Sequence, residues 1–178
     1  MEQHSKWLTA GADNNLRMWT WSTHDEIIGE STFHTPFNQE HIKQITEIIE
    51  ITVPKMIASC SLDGKIKLWE IAEKAFLSDL KDPSPHSKHL RGIRGATYSY
   101  EYGGNLLTYG FENYINVWCP EISKTRSFIG KLEGHSSIIV SCKFIPYSPN
   151  VISIDDKTNI RIWDIRTLST IQVLASEQ

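Results

Sequence analysis

Cysteine is scarce in this chain: among 178 residues there are three, at Cys60, Cys119 and Cys142. Their number is odd, their separations are 59 and 23 residues, and no Cys-x-x-Cys pair occurs. A disulfide framework or a zinc knuckle needs closer, paired spacing, so the expectation is buried free thiols in a reducing compartment and no metal. No apolar run approaches the roughly 18 residues of a membrane span. The opening Met1-Glu2-Gln3-His4-Ser5-Lys6 has no apolar stretch behind a basic start, which argues against a secretory leader and, with the missing span, against a membrane partner. A surplus of positive charge is absent too. Lys and Arg number 18 against 21 Asp and Glu, a net charge of −3, so no basic field exists to grip a phosphate backbone and nucleic acid is excluded as the expected partner. No long segment carries a 3.6-residue apolar period, which removes the helical classes. What remains is a globular composition, 40% hydrophobic and 22% charged, in a chain of one domain's length.

What the chain does have is an internal repeat. Leu16-Arg17-Met18-Trp19, Ile66-Lys67-Leu68-Trp69, Ile115-Asn116-Val117-Trp118 and Ile160-Arg161-Ile162-Trp163 all alternate apolar and polar residues and end at Trp. That is the period-2 signature of a half-buried strand. The Trp-to-Trp spacings are 50, 49 and 45 residues. Asp13, Asp63 and Glu112 each stand six residues before their Trp, in a turn, and an apolar-small strand precedes each turn. In the fourth unit the turn reads one residue longer, placing Asp156 seven before Trp163. A histidine recurs in register: His41, His89 and His135 lie 28, 29 and 28 residues before the next Trp.

Strands are predicted near 6–10, 15–21 and 26–29, then 42–51, 55–60, 65–71 and 75–80. They continue at 93–100, 105–109, 114–118 and 126–132, and end with 138–145, 150–154, 159–164 and 170–174. With these features in hand the chain resembles the WD (tryptophan-aspartate) repeat proteins, most clearly in its last unit, where Gly134-His135 is followed by Trp163-Asp164. The resemblance implies an all-β fold of β-propeller blades, each of four antiparallel strands. About four blades fit one partial propeller over 1–178: an incomplete first blade at 1–40, then 41–88, 89–134 and 135–178. Such an arc leaves apolar blade faces open, so the expectation is a part of a larger ring that associates with further blades. The stretch from Gly110-Phe111-Glu112-Asn113-Tyr114 through Gly134-His135-Ser136-Ser137 is similar to the large WD-repeat proteins of cilia and flagella. Many of those also carry EF-hands, of which this chain shows no loop.

Several constellations imitate chemistry. His41, Ser61 and Asp63 have the composition of a hydrolytic triad, but no Gly-rich nucleophile elbow flanks Ser61. By resemblance to WD repeats, His41, Ser61, Asp63 and Trp69 match a buried structural tetrad, with Gly110 and Ile154 in place of the serine in the next two units and with Trp19, Trp118, His135 and Trp163 as further repeat residues. No catalytic residue, cofactor or metal ligand is therefore expected. Histidines 24, 34 and 41 crowd one segment but match no zinc spacing. Lys81–Lys88, rich in Pro and without apolar residues, reads as a loop between blades. Tyr98, Tyr100 and Tyr102 alternate as on one strand face. Phe111 and Tyr114 flank a tight turn and are candidate protein contacts.

The function this implies is a non-catalytic protein-interaction scaffold, cytoplasmic, with the cilium or flagellum as the location and axonemal or cytoskeletal proteins or further blades as the partners the resemblance suggests. An alternative rests on Trp163-Asp164-Ile165-Arg166, which resembles the WDxR motif of substrate receptors in cullin-type ubiquitin ligases and makes Arg166 its contact residue.

Overall fold

A computed structural model describes residues 5–21, 27–35, 40–53, 55–80, 89–120 and 127–174. They form fifteen strands and, among the described residues, no helix. The first sheet holds β1 (Ser5–Ala10), β2 (Leu16–Trp21) and β3 (Ile27–Thr32). The second holds β4 (Ile45–Ile51), β5 (Met56–Ser61), β6 (Ile66–Glu70) and β7 (Ala75–Asp79). The third holds β8 (Ile93–Ser99), β9 (Asn105–Gly110), β10 (Tyr114–Trp118) and β11 (Phe128–Glu133). The fourth holds β12 (Ile139–Phe144), β13 (Asn150–Asp155), β14 (Ile160–Asp164) and β15 (Ser169–Leu174). Each sheet is an antiparallel meander in chain order, the architecture of propeller blades.

Strand alternation gives every sheet two apolar faces, and the packing of those faces builds the core. One face carries the Trp and the residues diagonal to it. The other carries the positions one and three residues before the Trp. Leu16 and Met18 of the first sheet pack on Ile57 and Trp69 of the second. Ala58, Cys60, Ile66 and Leu68 of the second pack on Leu106 and Trp118 of the third. Leu107, Ile115 and Val117 of the third pack on Val151 and Trp163 of the fourth. Phe33 stitches the first junction: its ring meets Trp69 edge-on at 6.0 Å, and the next residue, His34, adds a parallel bridge to Ala75 at the β7 edge.

Bulges recur at matching places. The register shifts at Ile45/Glu47, Ile93/Gly95 and Ile139/Ser141 on the first strands of the last three sheets. An extra residue there bends and twists the strand, and in the second sheet the bulged Thr46 uses its hydroxyl to reach Ile93 O of the next sheet at 2.8 Å.

Among the described residues the arc does not close. At one end Trp7 of β1 is 63% exposed. At the other, Ile152 pairs with Ile162 and Ile154 with Ile160, forming the face that the three inner junctions fill elsewhere. Ile152 is 38% exposed and a hollow of 190 Å³ lies along this row.

Two sequence expectations change. Tyr98, Tyr100 and Tyr102 do not share a strand face, because β8 ends at Ser99; Tyr98 packs against the core while Tyr100 and Tyr102 stand on the following turn. The strand expected from 42 begins at Ile45, since the backbone before it loops to present His41. The loop 81–88 and His24 lie outside the described residues.

Candidate protein-interaction site

The polar centres of the sheets come first, because they decide whether the chain has chemistry to offer. Each Trp pairs across the strand with the residue twelve before it, and its indole reaches the diagonal neighbour, ten before it. That neighbour bears a hydroxyl in every sheet: Trp19 Nε1 donates to Thr9, Trp69 to Ser59, Trp118 to Thr108 and Trp163 to Ser153, each at 2.8 Å.

In the last three sheets the chain continues. His41 Nε2 lies 2.8 Å from Ser59 Oγ, His89 Nε2 lies 2.9 Å from Thr108 Oγ1, and His135 Nε2 lies 2.7 Å from Ser153 Oγ. Their Nδ1 atoms meet Asp63 at 2.9 Å, Glu112 at 3.0 Å and Asp155 at 3.1 Å. The direction of every bond follows from the ends. An indole only donates and a carboxylate only accepts. The hydroxyl therefore accepts from Trp and Nδ1 donates to the carboxylate, and in that single-proton tautomer Nε2 accepts the hydroxyl proton.

The serine joining His41 to Trp69 is thus Ser59, and the expectation of Ser61 is corrected. Ser61 stands at the end of β5, donates to Lys43 O at 2.9 Å and accepts from Asp63 N at 3.1 Å, which makes it a turn residue. Gly110 and Asp155 hold the same register position, opposite Ile93 and Ile139 as Ser61 is opposite Ile45. Gly110 thus replaces no tetrad serine, and neither does Ile154, one residue before Asp155. A Cβ at Gly110 would sit 2.2 Å from Gly92 O, so a side chain is excluded there. The second, third and fourth sheets all carry a complete chain, not the second alone. In the fourth the acid is Asp155 rather than Asp156, and it reaches the histidine from the strand end instead of from the turn. The signal that finds the right residues is the constant separation of ten between hydroxyl and Trp.

The electrostatics fit a structural role. Burial raises the Asp63 carboxyl, but bonds from His41, Lys65 N and Ile42 N outweigh it and bring it down to about 2. Burial likewise opposes the bonds from His89 and Arg91 N that hold Glu112 below the usual range, and those from Asn159 and His135 that lower Asp155. Burial also holds His135 below the ordinary imidazole range, outweighing the Asp155 carboxylate that raises it. The bond order matches a hydrolytic triad, yet Ser59 and Thr108 are wholly buried and their oxygens already serve a Trp. A nucleophile must be reachable by substrate, and these hydroxyls are not. Burial pushes the Cys60 and Cys142 thiols far up, so neither is a ready thiolate. Among the described residues no three His, Cys, Asp or Glu converge as a metal site.

The surface offers more. A cleft of 420 Å³ opens beside the His89 chain of the third sheet, lined by Leu90, Arg91, Phe111, Tyr114, Ser136 and Ile138 among others. Leu90, next to His89, is 85% exposed, and Ile42, next to His41, is 74% exposed. Tyr114 is engaged on both sides, stacked near His89 with Lys131 Nζ 3.7 Å from its ring centroid. Phe111 carries Arg94 at 5.4 Å. Arg166 is exposed, but its Nε and Nη2 both donate to Asp164, at 3.0 and 2.7 Å.

With this geometry established, the comparisons agree. The family model "WD domain, G-beta repeat" matches residues 51–70 and 126–164. The chain is 33% identical over 136 residues to the Cilia- and flagella-associated protein 337 B of Tetrahymena thermophila, covering 74% of this chain and 10% of that protein. It is 29% identical over 115 residues to the Nuclear distribution protein PAC1 of Candida tropicalis, covering 64% and 22%. It is 25% identical over 122 residues to the Ribosome biogenesis protein WDR12 homolog of Dictyostelium discoideum, covering 67% and 25%. The chain therefore spans between a tenth and a quarter of the length of these curated relatives.

Proposed function

This chain is a WD-repeat protein, and from that premise we propose that it is a non-catalytic scaffold of the cilium or axoneme that binds other proteins through its loop rims. The observation that carries the scaffold reading is the contrast between wholly buried, fully engaged polar chains and an open cleft whose rim bears exposed Leu90 beside Phe111. Rigid strands that position variable apolar loops suit protein contact. The ciliary assignment is supported by the similarity to the Tetrahymena protein. The segments 1–40, 41–88, 89–134 and 135–178 are the blades of this reading, and further blades are the partners of its open isoleucine face.

The test is affinity capture from ciliated cells with the tagged chain and with Leu90→Asp. Wild type is expected to recover axonemal proteins, and the variant to lose part of that set while keeping the wild-type melting temperature. Arg166, paired with Asp164, leaves the ligase reading without a separate supporting observation. Stoichiometric recovery of a cullin adaptor, lost with Arg166→Ala, would overturn the scaffold assignment in favour of a ligase receptor.

A further inference from the structure

The opposite rim, between the third and fourth sheets, carries three exposed tyrosines, and two of them stand where the backbone disfavours any side chain. Tyr147 is 86% exposed, Tyr100 is 55% exposed and Tyr102 is 45% exposed. Tyr147 has φ 58° and Tyr102 has φ 123°. The Tyr147 turn is defined by its neighbours. Ser148 N donates to Ile145 O, so Pro146 and Tyr147 are the two central residues. Proline fixes a negative φ at the first, and a positive φ at the second then requires a type II turn. That second position favours Gly or Asn, and a bulky side chain there is strained.

At 86% exposure the Tyr147 ring adds little core packing to offset this. An exposed ring buries little, and Gly at 147 would hold the same turn with less strain. The turn is nevertheless fixed to its neighbour: Tyr147 N donates to Glu101 Oε2 at 3.1 Å, joining the two tyrosine loops across sheets. Asn105 Nδ2 donates to Tyr102 O at 2.7 Å and steadies the second loop. Left-handed residues also occur at the Asn14, Lys74, Thr158 and Leu168 turns, and what sets this rim apart is three exposed aromatic rings on two loops joined through Glu101.

We infer that Tyr100, Tyr102 and Tyr147, with Glu101, form a docking surface for an arginine-bearing segment of a partner protein. This deepens the scaffold reading and rests on it. Charge complementarity selects the occupant. Tyrosine faces attract cations, arginine above all, and Glu101, between Tyr100 and Tyr102 in sequence and bonded to Tyr147 N, adds a carboxylate to the same loops. Arg166, which interacts electrostatically with Tyr102, is paired with Asp164 through two bonds, and that carboxylate offsets its repulsion of a second guanidinium. Three rigid aromatics with two side-chain torsions each also bind at small entropic cost.

The test titrates the full chain with a fluorescent nonapeptide alternating arginine and glycine. The same peptide with citrulline for arginine, and an oligoproline of equal length, serve as comparisons. Tyr147→Gly should weaken arginine-peptide binding by about tenfold, the scale of one cation–π contact, and melt no lower than wild type. Glu101→Gln should weaken it several-fold, and citrulline should remove most of it. Tyr147→Asn, which tolerates the left-handed turn, is the second variant should the glycine chain fold poorly. Unchanged binding by both Tyr147 variants overturns the inference, as does preference for oligoproline. A lower melting temperature in both would show that Tyr147 is kept for stability. Loss of this surface with axonemal capture intact would sink the inference alone. Failure of wild type to capture any ciliary protein would sink the scaffold reading and leave the peptide result standing.

Discussion

The first and fourth sheets begin from the same pair, an indole donating to a hydroxyl ten residues earlier at 2.8 Å, and end very differently. In the fourth, Trp163 is wholly buried, Ser153 passes the bond to His135, and His135 passes it to Asp155. In the first, the Trp19–Thr9 bond is exposed, Asp13 turns instead to Arg17, and Arg17 also contacts Glu30. One motif is a buried, directional network and the other a surface pair. The difference is burial: a neighbouring sheet covers the Trp face of the fourth sheet and none covers that of the first among the described residues. A hydrogen bond deprived of water is costly to break, whereas water replaces a lost surface bond.

The largest expected effect concerns those open faces. The chain exposes Trp7 at one end and the Ile152–Ile162 row at the other, and by itself it should associate rather than run as a 20.4 kDa monomer in light scattering. Ile162→Lys should shift the distribution toward monomer. A monodisperse wild-type monomer with a sharp cooperative melt would show that the two ends cap themselves and are not distinct.

Trp163→Ala should cost about 3–5 kcal/mol in denaturant unfolding, as for other buried aromatics. Trp19→Ala should cost only about 1 kcal/mol, in the range of a partly exposed site. Equal losses would break the contrast between the two sheets.

The hydroxyl assignment sharpens it on a smaller scale. Ser59→Ala leaves buried Trp69 Nε1 and His41 Nε2 without their partner and should cost about 1–3 kcal/mol. Thr9→Ala, where water can take over, should cost about 0.5 kcal/mol. Ser61→Ala should fall between them, and a Ser61 loss exceeding that of Ser59 would restore Ser61 to the chain.

The smallest effect is pH dependence. Asp63, Glu112 and Asp155 have folded pKa values below their unfolded ones, and so does His135. In each case the unfolded chain binds more protons as pH falls, so the associated stability is present above the unfolded pKa and is lost below it. The His135 contribution declines from about pH 6.5 downward and those of the carboxylates from about pH 4, with Asp63 protonating near pH 2. Hydrogen exchange should therefore show protection in β13 and β14 declining earlier on acidification than in β1 and β2. Equal onset in both sheets would show that the buried chain carries no extra linkage.

Much of this was legible in the residues because strand physics is local. Alternation before each Trp placed β2, β6, β10 and β14, and the recurring histidines placed the starts of the last three sheets. The hydroxyl was misread because Ser59 and Ser61 share a strand face and differ only in which one lies diagonal to Trp69. That choice belongs to cross-strand register. Asp155 was missed for a related reason: the chain of the fourth sheet takes its acid from the strand end, where the other two units carry Ser61 and Gly110. The tyrosine rim was hidden because a positive φ is a property of the folded loop. Read along the chain, Tyr98, Tyr100 and Tyr102 alternate like strand residues, and only the end of β8 at Ser99 separates them.

The sequence by itself determined that this protein is all-β, that it repeats, and where the strands and their tryptophans fall, because a period of two and a tight turn are set by neighbouring residues. Tertiary structure alone decided which hydroxyl completes each buried chain, which sheet faces stay open and which tyrosines stand strained at the rim. Those outcomes depend on register and burial between segments tens of residues apart, and no local pattern fixes them.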